Sequence, residues 1–192
     1  MHKKIQEARD LNKVAVFRSY FTVSPTWSDV IELMYKASNS TKETLSDDKR
    51  SISGSMLTYN RLDPVIFGAL DFSDTGIYNK FLQNEEKITD LFGHSLFECN
   101  PKVIANLIGK EEKGYYIHSD NHDVFLWNCE GQVEWRIYKD SLESHIHTDL
   151  LNVYYESIVL NPGDAIFCPS GVMHQAVVSE PRASFVFGWR TN

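Results

Sequence analysis

The sequence predicts a mainly β domain, a sandwich or barrel with helices packed outside it. From Ser95 onward the chain breaks into short β-type runs at 95–98, 103–108, 114–119, 123–129, 132–139, 153–160, 164–168, 173–179 and 183–190. Turn signals separate them, notably Glu130-Gly131 and Asn161-Pro162-Gly163-Asp164, and many short strands at such close spacing fold as sandwiches or barrels. Helical signals are confined to residues 1–94.

In chain order, the polar residues 1–12 suit a short helix, and Val14-Ala15-Val16-Phe17 suits a strand. Ser24 can cap a helix that Pro25 opens, with Val30, Ile31, Leu33 and Met34 on one face of a segment reaching about Ala37. Residues 38–50, SNSTKETLSDDKR, are nearly all polar and read as a surface loop or a lid. Residues 51–72 carry Gly and Pro breaks, consistent with a strand and a turn. Ser73-Asp74 then opens a helix to about Leu91, striped by Tyr78, Phe81, Leu82, Ile88 and Leu91 and stopped by Gly93.

Bulk properties narrow the function. A chain of 192 residues with 42% hydrophobic content is one domain with a proper core. A net charge of −7 and a pI near 5.5 argue against a dedicated nucleic-acid binder. Cys99, Cys129 and Cys168 form no CxxC pair, so neither a zinc ribbon nor a thioredoxin-like motif is supported, and they read as small buried hydrophobes in a reducing compartment. The chain has no apolar run long enough to span a bilayer, and the first 25 residues lack the hydrophobic core of a signal peptide. A soluble cytoplasmic location with no membrane partner is the expectation, and the sequon Asn39-Ser40-Thr41 then has no glycosylation meaning. No Gly-x-Ser-x-Gly elbow or phosphate-binding lysine loop suggests a competing chemistry.

The chemistry-bearing stretch is Gly114–Tyr138, GYYIHSDNHDVFLWNCEGQVEWRIY. His118 and Asp120 stand two residues apart, so on a strand both point the same way. If His174 joins them from the second stretch, NPGDAIFCPSGVMH, two imidazoles and a carboxylate form a facial set that leaves positions open on non-haem Fe(II). In that second stretch Gly163 allows a turn, Pro169 and Gly171 shape a bend, and His174 is aimed inward from the next strand.

The Gly163, Pro169, Gly171, His174 pattern resembles the second motif of the cupin superfamily, and HSDNHDVFLWNCEGQVEWRIY resembles the hairpin signature of its JmjC-type branch. Within that branch the chain is most similar to the ribosomal oxygenases and related cupin-like hydroxylases, closely over residues 100–190 and loosely before them. The resemblance implies a double-stranded β-helix (jelly-roll, cupin) barrel with flanking α-helices. It implies a single domain over 1–192, with helices and outer strands in 1–94 and the barrel core in 95–192. It makes His118, Asp120 and His174 the iron ligands, with Fe(II), 2-oxoglutarate as co-substrate, and O2. The reaction implied is hydroxylation of an unactivated C–H bond, releasing succinate and CO2. The substrate expected is a small molecule, such as an amino acid or biosynthetic intermediate, or a peptide side chain. Oligomeric state is left open.

One departure concerns the co-substrate. In the ribosomal-oxygenase-like pattern, the basic residue that grips the far carboxylate stands two positions before the hairpin tryptophan; Trp135 is present, but that position is Val133. Arg190, in the last strand as in other 2-oxoglutarate-oxygenase branches, is the candidate replacement, with Arg182 and an outward-facing Arg136 as alternatives. By position Asn128 matches an asparagine that contacts the co-substrate in JmjC-type enzymes, and Tyr116 shares the strand parity of Asp120. His122 is a candidate for supporting a ligand or touching substrate, and Trp127, Tyr115 and the 38–50 loop for the pocket rim. His145 and His147 have ligand spacing but lie outside both motifs. Two other readings stand beside the oxygenase: a cupin metalloenzyme whose substrate chelates the metal, favoured by Val133, and a non-catalytic cupin-like binding protein.

Overall fold

The computed structural model describes residues 2–39, 65–67, 76–93, 102–106, 117–138 and 155–189. Its elements run α1 (Lys3–Asp10), β1 (Ala15–Phe17), α2 (Trp27–Asn39), β2 (Val65–Phe67), α3 (Gly76–Gln83), α4 (Glu85–Phe92), β3 (Lys102–Asn106) and β4 (Asp123–Glu130). They continue with β5 (Val133–Tyr138), β6 (Tyr155–Leu160), β7 (Ala165–Cys168), β8 (His174–Val177) and β9 (Arg182–Trp189). A six-stranded sheet in the order β1-β7-β4-β9-β3-β2 faces a three-stranded sheet in the order β6-β5-β8. Every strand pairing is antiparallel. This is the expected jelly-roll barrel with helices outside.

Strand alternation sorts the side chains into two cores. On the outer face of the large sheet, Phe125, Trp127, Phe167, Phe185 and Phe187 meet Val30, Leu33, Ile77, Phe81, Ile88 and Leu91 of the helices. On its inner face, Val124, Leu126, Ile166 and Cys168 meet Val133, Trp135, Ile158, Leu160, Ala176 and Val178 of the small sheet. β4 is buried along nearly its whole length because it is apolar on both faces and sandwiched between these cores. Burying Phe81 alone stabilises by about 3–5 kcal/mol, judged by what its removal to alanine would cost.

Several local expectations need correction. Helix α2 starts two residues later than Pro25 suggested, because Thr26 and Asp29 cap it: Asp29 Oδ2 accepts from Thr26 N and from Thr26 Oγ1, both at 2.7 Å. It also extends to Asn39, into the expected loop. Ile31 and Leu82 lie outside their helical stripes, exposed at 58% and 43%, while Ile77 is buried. The long helix expected to Leu91 is two helices broken at Asn84, whose buried side-chain amide donates to Val23 O and Lys80 O. Gly93 does end α4, in the left-handed region at φ 72°.

The remainder of the 38–50 loop, Cys99, Tyr115, Tyr116, His145, His147 and Arg190 lie outside the described residues. Among the described residues no helix is long and apolar enough to cross a membrane.

Candidate metal centre

At one end of the barrel the backbone ties the two motif stretches together. His118 N donates to His174 O at 3.0 Å and His174 N to His118 O at 2.8 Å, an isolated antiparallel bridge. Asp120 O accepts from Gly171 N at 2.9 Å and from Ser170 Oγ at 3.3 Å. Gly171 sits at φ 83°, where a Cβ would strain the backbone although no atom lies within 4 Å of it. The bend is anchored from below by Asp123, whose Oδ1 accepts from Ser170 N at 2.9 Å and whose Oδ2 pairs with Arg9 at 2.5 Å. The other motif glycine, Gly163, sits at φ 87° with Phe21 O 2.7 Å from where a Cβ would stand. At both turns the motif glycines permit backbone that another residue would distort.

These contacts bring His118, Asp120 and His174 together, with one ligand atom from each within 4.8 Å of the others. Asp120 Oδ2 lies 3.9 Å from His118 Nε2 and 3.6 Å from His174 Nε2. His174 is 4% exposed, and burial, followed by the facing His118 imidazole, lowers its pKa to about 4. It is therefore neutral at physiological pH, the form a metal requires. Its Nδ1 lies 2.9 Å from Val172 O, so the proton sits on Nδ1 and the Nε2 lone pair faces His118 and Asp120. The Trp135 indole stacks on the His174 ring at 4.8 Å and 11°, fixing its plane. Two imidazoles and a carboxylate converging from one side, with no further ligand group beside them among the described residues, fit a divalent metal of the Fe(II) type.

The other named residues fall elsewhere. His122 Nδ1 lies 3.0 Å from Asn121 Oδ1, in the bend at 121–122 that follows Asp120. Trp127 cannot line a pocket rim: it is fully buried under the helices, stacked on Phe21 at 4.0 Å. Asn128 faces the barrel interior as its parity implied, but both amide donors are engaged, by Gly131 O at 2.7 Å and Leu160 O at 3.3 Å. Arg136 does face outward, bonded to Glu134 and lying over Tyr155. The sequence reading missed Val172 and the depth of Arg182, and it marked Asp123 only for its nearness to Asp120, not as the support of the bend.

A jelly-roll barrel with two histidines and an aspartate converging at one end defines a cupin-type metal centre. Residues 78–192 match the family described as the JmjC domain, and the chain belongs to that family. It is 32% identical over 91 residues to the bifunctional lysine-specific demethylase and histidyl-hydroxylase NO66 of Dictyostelium discoideum, covering 42% of this chain and 18% of that protein. It is 34% identical over 79 residues to the ribosomal protein uL16 3-hydroxylase of Escherichia coli, covering 38% of this chain and 21% of that protein. The fold superposes on the Escherichia coli ribosomal oxygenase YcfD with a TM-score of 0.61 at 17% identity, over 94% of this chain and 48% of that one. YcfD solved with cobalt and 2-oxoglutarate gives a TM-score of 0.60 at 18% identity, over the same shares of the two chains. The chain thus spans about a fifth of the curated relatives and about half of that structure.

Proposed function

We propose that this chain is an Fe(II)- and 2-oxoglutarate-dependent dioxygenase that hydroxylates an unactivated C–H bond on an amino-acid side chain. The observation that carries it is the convergence of His118, Asp120 and His174 at the barrel end, in a member of the JmjC-domain family. His118, Asp120 and His174 would hold the metal from one side, leaving the other for co-substrate and oxygen. The chemistry such a centre supplies is oxidative decarboxylation of 2-oxoglutarate to succinate and CO2, coupled to insertion of one oxygen atom into the C–H bond. The chain's own part is positional. Val172 O keeps the His174 proton on Nδ1, the Trp135 ring holds the imidazole plane, and the apolar inner core keeps bulk water from the barrel.

The relatives named for histidyl and ribosomal-protein hydroxylation support a peptide side chain as substrate. A free amino acid or biosynthetic intermediate offers the same bond. Oxygen uptake and succinate release, measured with candidate peptides and with free amino acids, decide between them. His118→Ala and Asp120→Ala are each expected to lose bound Fe(II) and all succinate formation while keeping the wild-type circular dichroism. Full iron content and turnover in either variant would sink the assignment. Val133 favours a second reading, in which the substrate itself chelates the metal; metal-dependent turnover without succinate would establish it.

A further inference from the structure

Arg182 is buried inside the barrel, 2% exposed, at the start of β9. Its Nε donates to Asn106 Oδ1 at 2.8 Å and its Nη1 to Ser184 Oγ at 2.8 Å. Ser184 Oγ in turn donates to Asn128 Oδ1 at 2.9 Å. Every one of these partners is neutral, and Arg182 makes no ion pair among the described residues. Burial alone pulls its pKa down to about 10, so it stays charged at physiological pH. A buried cation held only by neutral groups is costly unless an anion joins it.

The position of this charge is informative. Arg182 and Ser184 lie on the inner face of the large sheet, the face that Val186 shares, and Asn106 lies on the inner face of β3. Asn128 links them to the opposite sheet by donating to Leu160 O, and Leu160 is the strand partner of Val133. The cation therefore sits across the barrel interior from the position where the family pattern places its basic residue on β5. Between that position and His174 stands Trp135, 3% exposed, whose Nε1 is buried with no hydrogen-bond acceptor among the described residues. Among the described residues, the interior thus holds a cation lacking an anion and an N–H donor lacking an acceptor, on the path leading away from His118, Asp120 and His174.

We propose that Arg182, braced by Asn106, Ser184 and Asn128, binds the far carboxylate of the dicarboxylate co-substrate, so that the anchoring charge has moved from β5 to β9. This rests on the oxygenase reading above. An arginine fork grips a carboxylate with two parallel hydrogen bonds, which the Val133 side chain cannot supply. It also answers the absence of a cation at position 133, since the one arginine of β5, Arg136, faces outward.

The test is anaerobic titration of the Fe(II)-loaded protein with 2-oxoglutarate and with 2-oxovalerate, which lacks the far carboxylate, following the visible charge-transfer band of a metal-chelated 2-oxo acid. Wild type should prefer the dicarboxylate. Arg182→Leu should weaken 2-oxoglutarate about a hundredfold and leave 2-oxovalerate unchanged. Val133→Arg in the Arg182→Leu background should restore the preference by returning the charge to β5. Ser184→Ala, a milder change, should weaken only the dicarboxylate, and serves if Arg182→Leu does not fold. Preference retained in Arg182→Leu, or equal loss of both acids, overturns the assignment alone. No band with either acid in iron-loaded wild type overturns the oxygenase reading and this assignment with it.

Discussion

His174 shows how the fold sets one side chain of the proposed metal centre. Burial keeps it neutral, Val172 O selects its tautomer, and Trp135 fixes its plane. Groups that orient a ligand in this way usually contribute about ten- to a hundredfold to metal affinity. Trp135→Leu should accordingly weaken Fe(II) binding by about tenfold, whereas Trp135→Phe, which keeps an aromatic face against the imidazole, should stay within a few-fold; isothermal titration of the anaerobic apoprotein measures both. Equal affinity in Trp135→Leu and wild type would show that the stack does not position the ligand. At this scale His118, Asp120 and His174 were readable because strand parity and motif spacing are local properties. The depth of Arg182 was not, because it depends on β3, β4 and β9 closing around one point.

Between elements, the bend before β8 decides where His174 points. Gly171→Ala forces a residue with a Cβ into the left-handed region, and since no atom crowds that Cβ the cost is that of the backbone alone, about 1–2 kcal/mol. A fall in thermal stability of that size, together with weaker metal binding, is expected. An unchanged metal affinity would mean that the bend does not aim the histidine. The pair beneath the bend matters more. Asp123→Ala removes the carboxylate that pairs with Arg9 and accepts from Ser170 N, and should destabilise by about 3–5 kcal/mol in denaturant unfolding. A loss below about 1 kcal/mol would place α1 outside the cooperative core. Helix lengths were less readable than strands. Nothing local distinguishes Asn84 as a break, since its side chain acts by reaching Val23 O across the fold.

At the scale of the whole molecule, three carboxylates link stability to pH. A hydrogen bond from Arg136 lowers the Glu134 pKa against the effect of burial. Burial would raise the pKa of Asp29, but hydrogen bonds from Lys80 and Thr26 outweigh it. Asp164 behaves likewise, with Asn161 N, Ser19 N and Arg18 overcoming burial. Each folded-state pKa is depressed, so the stabilisation is fully present above the unfolded carboxylate range near about pH 4 and is lost as pH falls through the folded values. The melting temperature should begin to fall below about pH 6.5, where an unfolded histidine takes up a proton that buried His174 does not, and drop more steeply below about pH 4; Asp164→Asn should reduce the acid slope while lowering stability at neutral pH. An unaltered acid slope in that variant would remove Asp164 from the linkage.

The sequence by itself determined the strand-rich second half, the turns at Gly131 and Gly163 and the two motif stretches whose histidines and aspartate converge, because alternation, turn chemistry and motif spacing are written over a few neighbouring positions. It also marked Val133 as the place where a basic residue is missing. Only the tertiary structure decided that Trp127 faces the helices, that Asn128 braces the interior, and that Arg182 lies buried among neutral groups. Those outcomes depend on which face of each strand meets which sheet and on the distances across a closed barrel. Such distances are set when segments far apart in the chain pack together, and no local pattern encodes them.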